Sequence, residues 1–224
     1  QAHPAECFAI NLDGAIHAAQ AAKGVRAVLV FFSTDHVFPD RDRAHDEDDP
    51  VAPVSVYGQS KVAAEEAVRS YLPDAHLILR TSGVFGPDVQ GKNFVVRLVQ
   101  ALRRGETVRV PRDQFGQPTY GPDLARVALQ LVAGGFTGTY HVVGPNRLSR
   151  LDFARLIALS FGLAPTLIVG VPTRELLQAA PRPLGVRLAT DKLTRDLGSD
   201  AIRRPTEALR MLRQADNVTT RAAG

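Results

Sequence analysis

Apolar positions along the chain recur with two different periods, and the switches between them mark an alternation of helices and strands. From about Pro4 to Lys23 the apolar residues keep helical spacing, and the stretch runs into Gly24, a residue that favours a stop. Arg26 to Ser33 follows as a nearly unbroken apolar run rich in branched and aromatic residues. That is the pattern of a parallel strand covered on both faces, and it is expected in the middle of a sheet. Residues 39 to 53 read as a polar, acidic, proline-punctuated loop. A helix is then expected from Ser55 to about Tyr71 and a strand from His76 to Thr81. The alternation continues with a helix near Asn93 to Arg104, a strand at Thr107 to Val110, a helix near Pro122 to Ala133 and a strand at Gly138 to Val143. The tail adds a helix from Leu151 to Phe161, a strand at Thr166 to Val169, a Pro/Arg-rich loop over 172 to 187, and two short helices near 191 to 197 and 205 to 214.

This order predicts an α/β protein with a doubly wound parallel sheet, whose ligands lie at the carboxyl ends of the strands. The loops after Phe32 and Arg80 are therefore the places to look for chemistry. Composition narrows the class: 45% hydrophobic and 22% charged residues are ordinary for a soluble globular chain, and no apolar run approaches the roughly 18 residues that span a bilayer. Cys7 is the only cysteine, so no internal disulfide can form, and a cytoplasmic setting is expected.

Net charge is +4 but unevenly spread: residues 1 to 100 hold 9 Lys+Arg against 13 Asp+Glu, and residues 101 to 224 hold 18 against 10. A basic second half suits an anionic ligand such as a nucleotide diphosphate. Its arginines are scattered over several elements rather than gathered in a stripe, so no nucleic-acid partner is expected. The six histidines show no metal-ligand spacing, and Asp46-Glu47-Asp48-Asp49 reads as a solvated loop, so no metal site is expected either.

Tyr57 and Lys61 lie four apart and share one face of a helix. A tyrosine with a pKa near about 10 is a poor proton donor or acceptor at neutrality, but a neighbouring ammonium favours the phenolate and pulls that value down. Ser33 and Thr34 stand where a strand ends, on the ligand side of the sheet, and either hydroxyl can hold a substrate oxygen.

With these residues in place, several blocks resemble the extended short-chain dehydrogenase/reductases, and within them the dTDP-4-dehydrorhamnose reductases. Ser33-Thr34-Asp35-His36-Val37-Phe38 resembles that family's STDYVF, Val56-Tyr57-Gly58-Gln59-Ser60-Lys61 its VYGRSK, and Arg80-Thr81-Ser82-Gly83-Val84-Phe85-Gly86 its RTSWVYG. Lys92-Asn93-Phe94-Val95, the block from Asp113 to Tyr120 and Gly138-Thr139-Tyr140-His141 resemble KNFV, DQFGSPTY and GTYH. The resemblance implies a Rossmann-like fold, with residues 1 to 90 as the remainder of an NAD(P)-binding domain carrying the catalytic residues. Residues 91 to 224 would form mainly a small α/β substrate lobe, with one or more segments returning to the sheet.

It further implies reduction of a nucleotide-linked 4-keto-6-deoxy sugar by NADPH or NADH. Tyr57 would give the proton, Lys61 would tune Tyr57 and hold the nicotinamide ribose, and Thr34, or less favourably Ser33, would bond the keto oxygen. Cofactor contacts are expected from Ser33, Tyr57, Lys61, Thr81 and Ser82. Substrate contacts are expected from Asp35, His36, Val37, Phe38, Gly83, Asn93, Gln114, Gln117, Thr119 and Arg182. Asn11 matches a structural support on the helix beneath the site. A homodimer is left open.

Three departures qualify the resemblance. No G-x-x-G-x-x-G occurs, and since a βαβ unit takes about 30 residues, roughly 60 to 80 residues carrying the first strands are expected upstream. The 224 residues alone are then expected to be poorly stable, to bind cofactor weakly and to be inactive. Gly83 stands where the rhamnose-pathway reductases carry a tryptophan and His36 where they carry a tyrosine, so the sugar pocket is expected to differ. The alternatives are an epimerase or dehydratase of the same superfamily, or a non-catalytic binder resembling the regulatory subunit of methionine adenosyltransferase.

Overall fold

A computed structural model describes residues 3–176 and 183–222. The opening helix comes in consecutive pieces: α1 (Pro4–Phe8), a π-helical turn over Ala9–Asp13, and α2 (Gly14–Val25). The helix runs past Gly24. It is Arg26, in the left-handed region at φ 54°, that ends it by turning its N–H back to the Ala22 and Lys23 carbonyls. After β1 (Leu29–Thr34) and a short 3-10 turn (Asp35–Val37) come α3 (Val56–Tyr71), β2 (His76–Thr81), β3 (Val84–Phe85) and α4 (Phe94–Arg103). Then follow β4 (Val108–Pro111), β5 (Phe115–Gly116), β6 (Thr119–Tyr120), α5 (Gly121–Ala133), β7 (Gly138–His141), β8 (Leu148–Ser149) and α6 (Arg150–Phe161). Last are β9 (Ile168–Val171), α7 (Asp191–Leu197) and α8 (Pro205–Ala222), the final helix being longer than its sequence pattern predicts.

Three helices start on a residue chosen for it. Ser55, Asn93 and Ser149 each stand just before a helix with the side-chain oxygen accepting a backbone N–H from the first turn. The two-residue strands β3, β5, β6 and β8 have no sequence signature, because a pair of residues is too short to show a period.

β1, β2 and β7 form a parallel sheet in that order, with Ser33 opposite Arg80 and Thr34 opposite Thr81. β1, the strand expected mid-sheet, pairs with β2 alone among the described residues, and Phe32 remains 45% exposed. The covered centre is β2, every residue of which is buried. Its side chains alternate between two helical layers: Leu77 and Leu79 pack with Leu124, Val127 and Leu131 of α5, whereas Ile78 packs with Ala15 of α2 and Ala64 and Val68 of α3. Helices on both faces of a parallel sheet make this the expected Rossmann-like architecture.

A second and larger core joins α4, α6, α8, β4 and β9 through Val95, Leu98, Phe153, Ile157, Ile168 and Leu209. The chain between residues 39 and 53 is more than a solvated loop. Asp49 accepts from Arg41, Arg43 and the Asp46 N–H, and the Glu47 carboxylate accepts the His141 N–H at 2.9 Å.

Candidate active site

The carboxyl ends of β1 and β2 open on a cleft of about 520 Å³ lined by Ser33, Thr34, Asp35, His36, Tyr57, Thr81, Ser82 and Gly83, with Cys7 from α1. A smaller cleft of about 170 Å³ shares Asp35, His36, Ser82 and Gly83 with it and continues to Gln114, Phe115, Gln117 and Arg150. The two meet at Gly83, whose φ of +53° is a conformation that favours glycine.

Tyr57 occupies the first turn of α3, with 44% of its surface exposed and its ring edge against the His36 ring at 5.7 Å. Burial pushes its phenol upward, hydrogen bonding with the Thr34 hydroxyl pulls the other way, and Asp35 and Cys7 add to the rise. The expected downward pull from Lys61 is not part of this arrangement. Lys61 is buried, donates to the Phe32 carbonyl at 2.6 Å and lies 4.1 Å over the Phe31 ring. Burial lowers the Lys61 ammonium pKa, and the Glu65 carboxylate opposes that.

Thr34 Oγ1 donates to Asp35 Oδ1 at 3.2 Å and accepts the His36 N–H, and Ser82 Oγ donates to Asp35 Oδ2 at 2.6 Å. Asp35 thus joins the two strand ends across the floor of the cleft. Ser33 lines the same cleft, but its hydroxyl is committed to Glu65 Oε1 at 2.5 Å. Thr81 Oγ1 is buried in the wall with no hydrogen-bond partner among the described residues, and the same is true of Gln114 Nε2 at the smaller cleft. An unpaired buried polar group costs roughly 1–3 kcal/mol, so both are poised to gain from a ligand or a water.

Asn11 lies within the π-helical turn and donates to Ser60 Oγ at 3.1 Å, tying that turn to α3 one residue before Lys61. π-helical turns recur at functional sites, and here the widened turn brings Asn11 and Cys7 together on Ser60.

Several expected substrate contacts are placed elsewhere. Val37 and Phe38 are wholly buried in a core cluster with Val143, Val186 and Leu188, because the 3-10 turn directs them inward from the strand end. Gln117 borders the smaller cleft, yet its amide is spent on Leu188, whose N–H it accepts at 2.8 Å and whose carbonyl it bonds at 3.1 Å. Thr119 is buried, donating to the Gln117 carbonyl and accepting the Gly144 N–H. Asn93 stands outside both clefts as the α4 cap, with its amide nitrogen on the Gly86 carbonyl and Asp88. Arg182 lies outside the described residues. Phe115 borders the smaller cleft within the Asp113 to Tyr120 block, as the resemblance implies for that loop. Cys7 and Arg150 border the clefts unforeseen; of these only Cys7 had a signal, its spacing of four from Asn11 on a helix.

Comparison with known proteins agrees with this fold. The family model described as RmlD substrate binding domain matches residues 1–216. A dTDP-4-dehydrorhamnose reductase of Streptomyces griseus is 42% identical over 189 residues, which is 82% of this chain and 62% of that protein, so the chain spans under two thirds of that relative's length. Among solved structures, a dTDP-4-dehydrorhamnose reductase of Bacillus anthracis in complex with NADP superposes with a TM-score of 0.83 at 33% identity, over 90% of this chain and 70% of that one. Another from Clostridium acetobutylicum reaches 0.85 at 30% identity, over 94% and 73%. The resemblance read from the motif blocks is thus borne out, and the chain belongs to the RmlD substrate-binding-domain family.

Proposed function

We propose that the protein carrying these residues reduces a dTDP-linked 4-keto-6-deoxy sugar with NADPH or NADH. The observation that carries this reading is the convergence of Thr34 and Tyr57 on one cleft at the carboxyl ends of two parallel strands. Family membership supports it, since similar proteins are named dTDP-4-dehydrorhamnose reductases and one was solved with NADP. The cofactor, when bound, supplies the hydride. Thr81, with its unsatisfied hydroxyl, and Ser82 fit the cofactor's nicotinamide end; Lys61, which lines neither cleft, would join them only by turning from the Phe32 carbonyl to the nicotinamide ribose.

Thr34 holds the keto oxygen by turning its one hydroxyl hydrogen from Asp35 to it, and Tyr57 delivers the proton to that oxygen as it gains negative charge. A phenol held up by burial stays protonated at neutral pH, which is the state a proton donor needs. In this reading Asp35, His36 and Gly83 border the sugar, and Gln114, whose amide nitrogen has no hydrogen-bond partner among the described residues, serves the nucleotide. The absence of a side chain at Gly83 leaves the two clefts joined, which favours a sugar or linkage bulkier than a closed pocket admits.

In this reading residues 1 to 90 are the remainder of the cofactor-binding domain and carry the catalytic residues, and residues 91 to 224 are mainly the substrate lobe, with β7 returning to the sheet. No helix among the described residues is long and apolar enough to cross a membrane. We place the work in the cytoplasm, without nucleic acid; sedimentation would test for a homodimer.

NAD(P)H oxidation by the full natural protein, offered dTDP-4-dehydrorhamnose and related keto sugars, tests the reading. Turnover lost by about 10²–10⁴-fold in Tyr57→Phe is expected. Cofactor binding with no turnover on any keto sugar would favour a non-catalytic binder, a role compatible with the commitment of Lys61 to the Phe32 carbonyl.

A further inference from the structure

One buried carboxylate next to the catalytic face has no part in the chemistry described so far. Glu65 is 1% exposed on α3, one helical turn beyond Lys61 and two beyond Tyr57. Its Oε1 accepts from Ser33 Oγ at 2.5 Å and Arg80 Nε at 3.0 Å; its Oε2 accepts from Arg80 Nη2 and Arg69 Nη2, both at 2.8 Å. Ser33 and Arg80 are register partners in β1 and β2. The carboxylate therefore bridges the two strands at the last residue before Thr34 and Thr81 enter the cleft. The Phe32 carbonyl that holds Lys61 belongs to the same strand end.

We propose that Glu65 is a positioning residue of the reduction: it locks the carboxyl ends of β1 and β2, and with them Thr34 and Thr81, and supplies the charge that faces Lys61. This rests on the reductase reading and adds a residue that touches neither substrate nor cofactor. Stability alone does not explain the cluster, because a buried ion pair can commonly be replaced by apolar side chains of similar volume without loss. The geometry also shows the carboxylate spending acceptor capacity on the Ser33 hydroxyl, a strand end, when two guanidinium groups lie within reach. The groups that face Glu65 are Arg69 from α3, Ser33 from β1, Arg80 from β2 and His141 from β7. Lys61 is faced by Glu65, and Tyr57 by Asp35 and Cys7.

The test uses the full natural protein and the double variant Glu65→Gln/Arg80→Met, which removes the two charges together and nearly keeps their volume. Its thermal midpoint should stay close to the parent's, while kcat falls at least about tenfold from misplaced groups and KM for the keto sugar moves little. The alkaline limb of the kcat profile should shift to lower pH, since the Lys61 ammonium gives up its proton more easily once it loses the carboxylate that faces it. Ser33→Ala, which cuts the strand contact and leaves every charge, should lower kcat without moving that limb. Glu65→Asp should recover the limb and part of kcat.

A folded double variant with the parent's kcat and limb would overturn the proposal. Should the double variant not fold, parental kcat in Ser33→Ala would overturn it instead. Failure of the reductase reading looks different, because then the parent itself oxidises no NAD(P)H with any keto sugar.

Discussion

Single atoms decide the shape of the cleft wall. Gly58 follows Tyr57 on α3, and a β-carbon there would stand 2.3 Å from the His36 carbonyl oxygen and 2.8 Å from Pro53 Cβ. Backbone cannot yield as a side-chain tip does, so Gly58→Ala must push the Asp35–Val37 turn away from the helix. A loss of about 1–3 kcal/mol in urea unfolding is expected. Turnover should fall further than in a variant of equal cost elsewhere, because Thr34 and His36 ride on that turn; equal activity in matched variants would contradict this. At Gly83 a β-carbon meets Pro118 only at ordinary contact distance, but the φ of +53° is strained for any other residue. Gly83→Ala should cost about 1 kcal/mol and narrow the junction of the clefts, read as a rise in KM for the bulkiest accepted substrate.

Helix starts are where local sequence does measurable work. Ser55 caps α3 by accepting the Gly58 N–H at 3.1 Å, directly ahead of Tyr57. Ser55→Ala should destabilise by about 1 kcal/mol and loosen the first turn that carries the phenol. Asn93 does more: it caps α4 and also ties the loop through Gly86 and Asp88. Asn93→Ala is therefore expected to cost more than Ser55→Ala, and to act on stability rather than on KM for the sugar. A large KM change in Asn93→Ala at unchanged stability would restore the substrate contact expected from the motif.

Across the whole molecule, the two buried histidines of the Phe38 cluster set the acid limit. His45 stacks on the Phe38 ring at 4.2 Å, and His141 packs edge-on at 5.6 Å. Burial, with Arg80 adding, holds His141 down at about 3, and burial also lowers His45. Unfolded histidine titrates near 6.5, so between that value and about 3 the unfolded chain binds more protons than the folded one. Stability present above about pH 6.5 is lost as pH falls through this window, at up to about 1.4 kcal/mol per pH unit for each full proton of difference. Glu65, held low by its arginines and Ser33 against the desolvation that would raise it, loses stability in the same acid direction, whereas Glu47, raised by burial, acts oppositely. Thermal melts at pH 7, 5.5 and 4.5 should show a progressive fall. A flat profile would mean that these rings are not buried in the neutral form.

The amino-acid sequence by itself determined what depends on neighbours along the chain. Periodicity placed the main helices and strands, and a spacing of four put Tyr57 and Lys61 on one helix. The ordered motif blocks made the family legible as well. Only the tertiary structure decided what each face meets. Period alone shows that β2 is apolar, but not that α5 covers one of its faces and α2 with α3 the other. Motif membership likewise could not separate Thr34 and His36, which face the cleft, from Val37 and Phe38, which the next turn of chain buries. Gln117 and Thr119 hold the segments at Leu188 and Gly144, and Glu65 closes on Ser33 and Arg80. These partners lie far apart in sequence, so their contacts arise from packing, which no local pattern encodes.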